Sequence, residues 1–329
     1  MSASLLTVSP ADPGGRRRRL AAIVLGLTTA IGVMVLAFAA PALNAGAEDL
    51  PLAVSGTAPA VEQFAAALEA QDPDTFEVTV FGSADQAGRA IRDQGAIGGV
   101  VLSDSGVTIL TAAGAGAPYV SLLKVIGSHL AASDQDVTYS ELVPTTADDP
   151  TGIGISVLGL PLIFGGMASA AALLLGYRGS LTSRLVAAFT VAVLGGFVAA
   201  AILQFGFGAF DGSYWLTAAA LSTGITAISL PVLGLGLLVG YPGLATGAVI
   251  MLFVANPLSG LASGPSWLPQ PWGEIGQFLP VGAAGSAIRS AAYFEGRGSL
   301  GAWLVLLIWT LGGLALARLG ATRAHTTET

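Results

Sequence analysis

The sequence predicts an α-helical polytopic membrane protein of six spans, with an extracytoplasmic α/β domain inserted between spans 1 and 2. Three observations predict it. The 329 residues are 53% hydrophobic and only 10% charged, with a mean hydropathy of +0.75, where a soluble domain is about 25% charged. The apolar residues gather into charge-free runs long enough to cross a bilayer. The acidic residues gather elsewhere: segment 44–150 holds fifteen Asp or Glu against Arg89, Arg92 and Lys124. Such a segment repels phosphates, so nucleic acid is not an expected partner.

Residues 1–19 read as a cytoplasmic tail, polar and broken by Pro10, Pro13, Gly14 and Gly15, ending in Arg16, Arg17, Arg18 and Arg19. Residues 20–41 follow as span 1. They would rise about 33 Å as a helix, against a bilayer core of about 30 Å. Ala45-Gly46-Ala47 has the small-x-small form of a signal cleavage site. A cleaved signal peptide is therefore the alternative to an anchor, but the apolar run exceeds the ~7–15 residues of a signal core. Both readings place 44–150 outside.

Within 44–150 short apolar runs alternate with amphipathic stretches, the pattern of a folded α/β domain. Residues 52–54 read as a strand. Residues 59–71 read as a helix with Val61, Phe64, Ala65 and Leu68 on one face, and 76–81 as an alternating strand. Ser83 reads as the cap of a helix over 84–94. Residues 96–102 and 107–110 pair as a hairpin across Ser103-Asp104-Ser105-Gly106; a helix over 118–132 and a strand over 137–142 complete the domain.

Residues 151–319 are read as a five-span membrane domain. Charge-free runs at 151–177 and 185–210 form a tight hairpin, joined by a loop holding Arg178 and Arg184. The charge-free stretch 212–273 is too long for one helix and breaks at Tyr241-Pro242-Gly243, giving spans over 214–240 and 244–261. Residues 300–317 supply the last span, and 320–329 a cytoplasmic tail. This arrangement places Arg16 to Arg19, Arg178, Arg184, Arg318 and Arg323 inside, with both termini cytoplasmic. Asp12 and Glu328 sit in the tails, while Asp211, Glu274 and Glu295 fall outside. The expected localisation is the cell membrane. Twelve arginines against Lys124 alone, with abundant Ala and Gly, read as the mark of a GC-rich bacterial genome.

Chemistry-bearing motifs are absent from the sequence. Lys124 is the only lysine and is not preceded by glycine, so a P-loop is impossible and any ATP use needs a partner chain. With no cysteine there is no disulfide, thiolate metal site or cysteine nucleophile, and His129 and His325 are too far apart in sequence to suggest a metal cluster. No enzymatic activity and no cofactor are expected. Gly234, Gly236 and Gly240 superficially resemble a nucleotide loop, but mid-membrane they read as a close helix contact.

The candidate transport-path or gate residues are Gln204, Asn256, Arg289 and Glu295. Gln204 and Asn256 are amides within spans, where polar groups are costly; helix-to-helix hydrogen bonding is the alternative. Segment 262–299 is apolar and aromatic, yet broken by Pro265, Pro269, Pro271 and Pro280 beside Trp267 and Trp272. It reads as two short helices, over 274–279 and 281–295, lying at the outer interface. Arg289 and Glu295 there either line a substrate path or snorkel to headgroups and water.

The organisation resembles the ABC type-2 permease superfamily, especially its YhgE/Pip-like branch: one span, an extracytoplasmic α/β domain, then five spans. The residues that carry the resemblance are Gly99-Val100-Val101-Leu102, the run from Val107 to Ala113, and Asp148-Asp149-Pro150-Thr151-Gly152 entering the second span. The stretches Asn256-Pro257-Leu258-Ser259-Gly260, Leu268-Pro269 and Phe278-Leu279-Pro280, with Arg289, are similar to the family's segment before its last helix. The resemblance implies a permease-like component of an export system, working as a homo- or hetero-oligomer and driven by a separate ATPase subunit. The chain departs from the pattern in having neither an amphipathic helix before span 1 nor a long coupling loop between spans. The alternative expectation is a non-transporting envelope protein whose ectodomain binds a wall, lipid or protein ligand.

Overall fold

The structure, a computed structural model, describes residues 13–71 and 73–327; most of the expected N-terminal tail, with Asp12, and Glu328 at the other end lie outside the described residues. The first helix, α1 (Pro13–Leu43), runs unbroken through the four arginines, which the reading above left in a tail. Proline's fixed φ suits a first turn, and arginine is a good helix former.

The α/β domain follows as β1 (Leu50–Ser55), α2 (Ala58–Gln71), β2 (Phe76–Phe81), α3 (Ala84–Arg92), β3 (Gly98–Ser103), β4 (Gly106–Thr111), α4 (Ala117–Ala132) and β5 (Val137–Glu141). The sheet has the order β2-β1-β3-β4-β5, with only the β3–β4 hairpin antiparallel. Strand alternation sorts its two faces. Leu50, Leu52 and Val54 pack with Phe64 of α2 and Leu123 of α4, whereas Ala53 packs with Ala87 and Ile91 of α3. Each large apolar side chain so buried contributes about 1.5–3 kcal/mol. Ser83 caps α3, its Oγ accepting from Gln86 N at 3.3 Å.

The remaining chain is helical: α5 (Ile153–Ser156), α6 (Gly159–Ala171), α7 (Leu181–Ala201), α8 (Tyr214–Val239), α9 (Tyr241–Val249), α10 (Trp272–Gln277), α11 (Pro280–Tyr293) and α12 (Leu300–Thr327). Wider π turns extend α6 to Gly176, α7 to Gly206 and α9 to Ala255. Among the described residues five helical stretches are long and apolar enough to cross a membrane: Arg16–Leu43, Ile153–Gly176, Leu181–Gly206, Tyr214–Val239 and Leu300–Arg323. The break at Tyr241-Pro242-Gly243 is where the pattern put it. The helix after it, Tyr241–Ala255, is shorter than the expected 244–261 and rises only about 22 Å. Pro257 has no N–H to extend the ladder, and Gly260, at φ 65°, turns the chain away.

Helix α8 is the hub, buried along most of its length, with α6, α7, α11 and α12 packed around it. Small residues permit the approach. A side chain at Gly234 would meet Leu316 and Ala317 of α12, and one at Gly224 would meet Ala284 of α11. Helix α11 was expected at an interface; instead it is buried on nearly all sides. Its Gly282, Ala283, Ala284, Gly285, Ala287 and Ala291 make it thin enough to enter the bundle. By contrast α1 stands apart, exposed from Arg16 to Leu36 and buried only at Pro41 among its described side chains.

Candidate functional site

The most elaborate polar arrangement lies where the α/β domain meets the helices. Arg289 of α11 is 8% exposed, and its guanidinium donates to four main-chain carbonyls. Nη1 reaches Gly114 O at 3.2 Å and Ala115 O at 2.8 Å, while Nη2 reaches Gly260 O at 3.5 Å and Leu261 O at 2.9 Å. The first pair belongs to a single turn (Ala113–Ala115) between β4 and α4; the second belongs to the bend after α9. Arg289 therefore neither snorkels nor pairs with a carboxylate among the described residues. It ties two segments of backbone together.

Neighbouring groups stiffen this joint. Glu141 at the end of β5 accepts from Thr111 Oγ1 at 2.8 Å and Ala113 N at 2.9 Å, fixing the turn that Arg289 grips. Tyr119 of α4 sits edge-on to Trp267 at 5.7 Å, and Gly46 N donates to Trp267 O at 3.0 Å. Burial pushes the Tyr119 phenol above its ordinary pKa, while the Arg289 charge pulls in the opposite direction. Tyr293 Oη donates to Ala209 O at 3.2 Å. Asp149 caps α5, accepting from Ile153 N at 2.8 Å and Gly154 N at 2.7 Å. A second foot of the domain rests on Gln94, whose Nε2 donates to Arg297 O at 2.6 Å.

Asn256 lies beside the joint, lining a cavity of about 410 Å³ with Ser156, Ser263, Trp267 and Phe38 of α1. Gly260 and Leu261, whose carbonyls Arg289 holds, line the same cavity. A Cβ at Gly159 would fall 2.9 Å from Asn256 Oδ1, so glycine there leaves room for the amide. Ser259 donates to Asn256 O at 2.7 Å, Gln277 to Ser259 O at 3.2 Å, and Ser286 to Gln277 Oε1 at 2.6 Å.

Arg289 and Asn256 are thus brought together. The other two candidates are elsewhere. Gln204, in the π turn after α7, donates to Gly212 O at 2.9 Å and has a buried Oε1 without a partner. Glu295 is exposed and pairs with Arg297 at 2.9 Å. Sequence reasoning missed Gly114, Ala115, Tyr119, Glu141 and Gln94; Glu141, the one charged side chain among them, ends a strand that already carries Thr138 and Ser140 and so did not stand out. Among the described residues no group of three or more His, Cys, Asp or Glu is placed to hold a metal ion. A mainly apolar cavity with the Asn256 amide and the Ser156 and Ser263 hydroxyls on its wall can hold an amphipathic group. No family model matches the chain, and neither does a curated protein or a solved structure.

Proposed function

We propose that the chain is a permease-like integral membrane component of an export system, without enzymatic activity or an ATPase of its own. In this reading the short helix Tyr241–Ala255 and the bend after it complete a sixth crossing, both termini are cytoplasmic, and the α/β domain is extracytoplasmic. The resemblance to the ABC type-2 permease superfamily and its YhgE/Pip-like branch supports it, with a separate ATPase subunit and an oligomeric assembly as the partners. The observation that carries it is the mainly apolar cavity between the end of α1 and the bend after α9, into which Asn256, Ser156 and Ser263 bring polar groups. Intramembrane polar surface is costly and is retained where it serves a path.

Cells lacking the gene, complemented with wild type or variants, provide the test through accumulation of a dye panel and resistance to toxic amphiphiles. Asn256→Leu should fail to complement at unchanged membrane abundance. A second reading, a non-transporting envelope protein, is favoured by one feature. A cleft of about 370 Å³, lined by Thr57, Asp104 and Gln135, lies at the carboxyl ends of β1 and β3, where the strand order reverses and ligands of α/β sheets commonly bind. Full complementation by Asn256→Leu, with loss on removing the α/β domain, would favour that reading.

A further inference from the structure

Helix α1 is separated from α9 and its π turn by an open apolar groove. Two cavities of about 410 and 390 Å³ follow one another along it, sharing Phe253. Leu27, Ala30, Met34 and Ala37 line one wall; Val249 and Phe253 line the other. From Leu27 to Asn44 the groove is about 25 Å long, and apolar side chains facing apolar side chains across a gap have lost their packing partners.

The four arginines below it are not symmetrically disposed about α1. Arg16 and Arg19 precede Leu27 and Ala30 by about three helical turns and so share the groove's face, whereas Arg17 and Arg18 are turned roughly 120–140° away. All four are exposed, and none forms a salt bridge among the described residues. The levels also agree. Leu27 stands about 12 Å above Arg19, the same rise that separates Val249 from the exposed Tyr241 at the start of α9.

We infer that the half of this groove nearer the arginines, lined by Leu27, Ala30, Met34, Val249 and Phe253, is a binding site for an anionic phospholipid of the leaflet that holds Arg16 to Arg19, its phosphate on Arg16 and Arg19 and one acyl chain between α1 and α9. Charge complementarity selects the occupant. A second copy of the chain packed α1 to α1 would bring like charges together, whereas a lipid phosphate meets them with the opposite sign. Depth agrees as well: Arg19 to Met34 is about 22 Å, a headgroup plus one leaflet of a ~30 Å core. The site requires α1 to lie in a bilayer and is independent of transport.

The test uses the full chain, purified in detergent, exchanged into phosphatidylglycerol or phosphatidylcholine, with retained lipid counted by native mass spectrometry. Wild type should prefer phosphatidylglycerol by about tenfold. Arg16→Gln with Arg19→Gln should remove most of that preference, and Arg17→Gln with Arg18→Gln should leave it. Ala30→Trp, which fills the groove, should reduce retention of both lipids. An equal loss from either arginine pair would mean diffuse attraction and overturn the site. So would unchanged retention in Ala30→Trp, or a dimer that this variant converts to monomer with its lipid count unaltered. The arginine variants change exposed side chains only, so their comparison stands even if the tryptophan variant fails to fold.

Discussion

A buried arginine that binds only carbonyls has exchanged water for fixed main-chain dipoles. Hydrogen bonds from a charged donor contribute about 1.5–3 kcal/mol each, against a desolvation penalty of several kcal/mol for the ion. The balance makes Arg289 expensive to remove, because four carbonyls would lose a charged donor, Gly260 O alone of them keeping the Gly264 N–H given for it. Arg289→Met should destabilise the joint by roughly 3 kcal/mol, lowering the thermal midpoint and exposing the turn at Ala113–Ala115 to protease. Arg289→Lys should lose less, since an ammonium keeps the charge but cannot span both carbonyl pairs. Unaltered proteolysis in Arg289→Met would contradict the role. The residue itself stood out in the sequence as a lone cation in an apolar segment. Its partners did not, because they lie 28 to 175 residues away and are carbonyls, which every residue type possesses.

At the scale of elements, legibility followed the range of the signal. The strands and helices of the α/β domain were readable because alternation, a serine cap and a Ser-Asp-Ser-Gly turn are local. The early end of the helix at Ala255 and the burial of α11 were not. Prolines and a charge suggested an interfacial segment, and nothing local records that a glycine-rich thin helix will be accepted by α8. Glycines on α8 and α12 interlock in the same way: a side chain at Gly313 would run into the backbone at Leu230 and Pro231, whereas one at Gly312 would meet nothing within 4 Å. Gly313→Leu should therefore cost about 1–3 kcal/mol and reduce the monodisperse fraction on fluorescence-detected size exclusion. Gly312→Leu should leave the elution profile unchanged, and equal effects from the two would show that the contact is not the cause.

For the molecule as a whole, the proposed sidedness is directly measurable, since the chain has no native cysteine to confuse labelling. Glu69→Cys on α2 and Thr182→Cys at the start of α7 are both exposed sites. An impermeant maleimide should label the first on intact cells and the second only after permeabilisation; the reverse pattern would invert the topology. The α/β domain is pinned to α11 through Arg289 and to the following loop through Gln94, whereas α1 enters it through a short link held by Gly46. Mechanically, α1 is a pendulum of about 46 Å hung from a fixed bracket. A swing of about 10° carries its arginine end sideways by about 8 Å while its pivot stays still. Such a swing would widen or narrow the gap between α1 and Val249 and Phe253 while leaving the hydrogen bonds of the sheet in place.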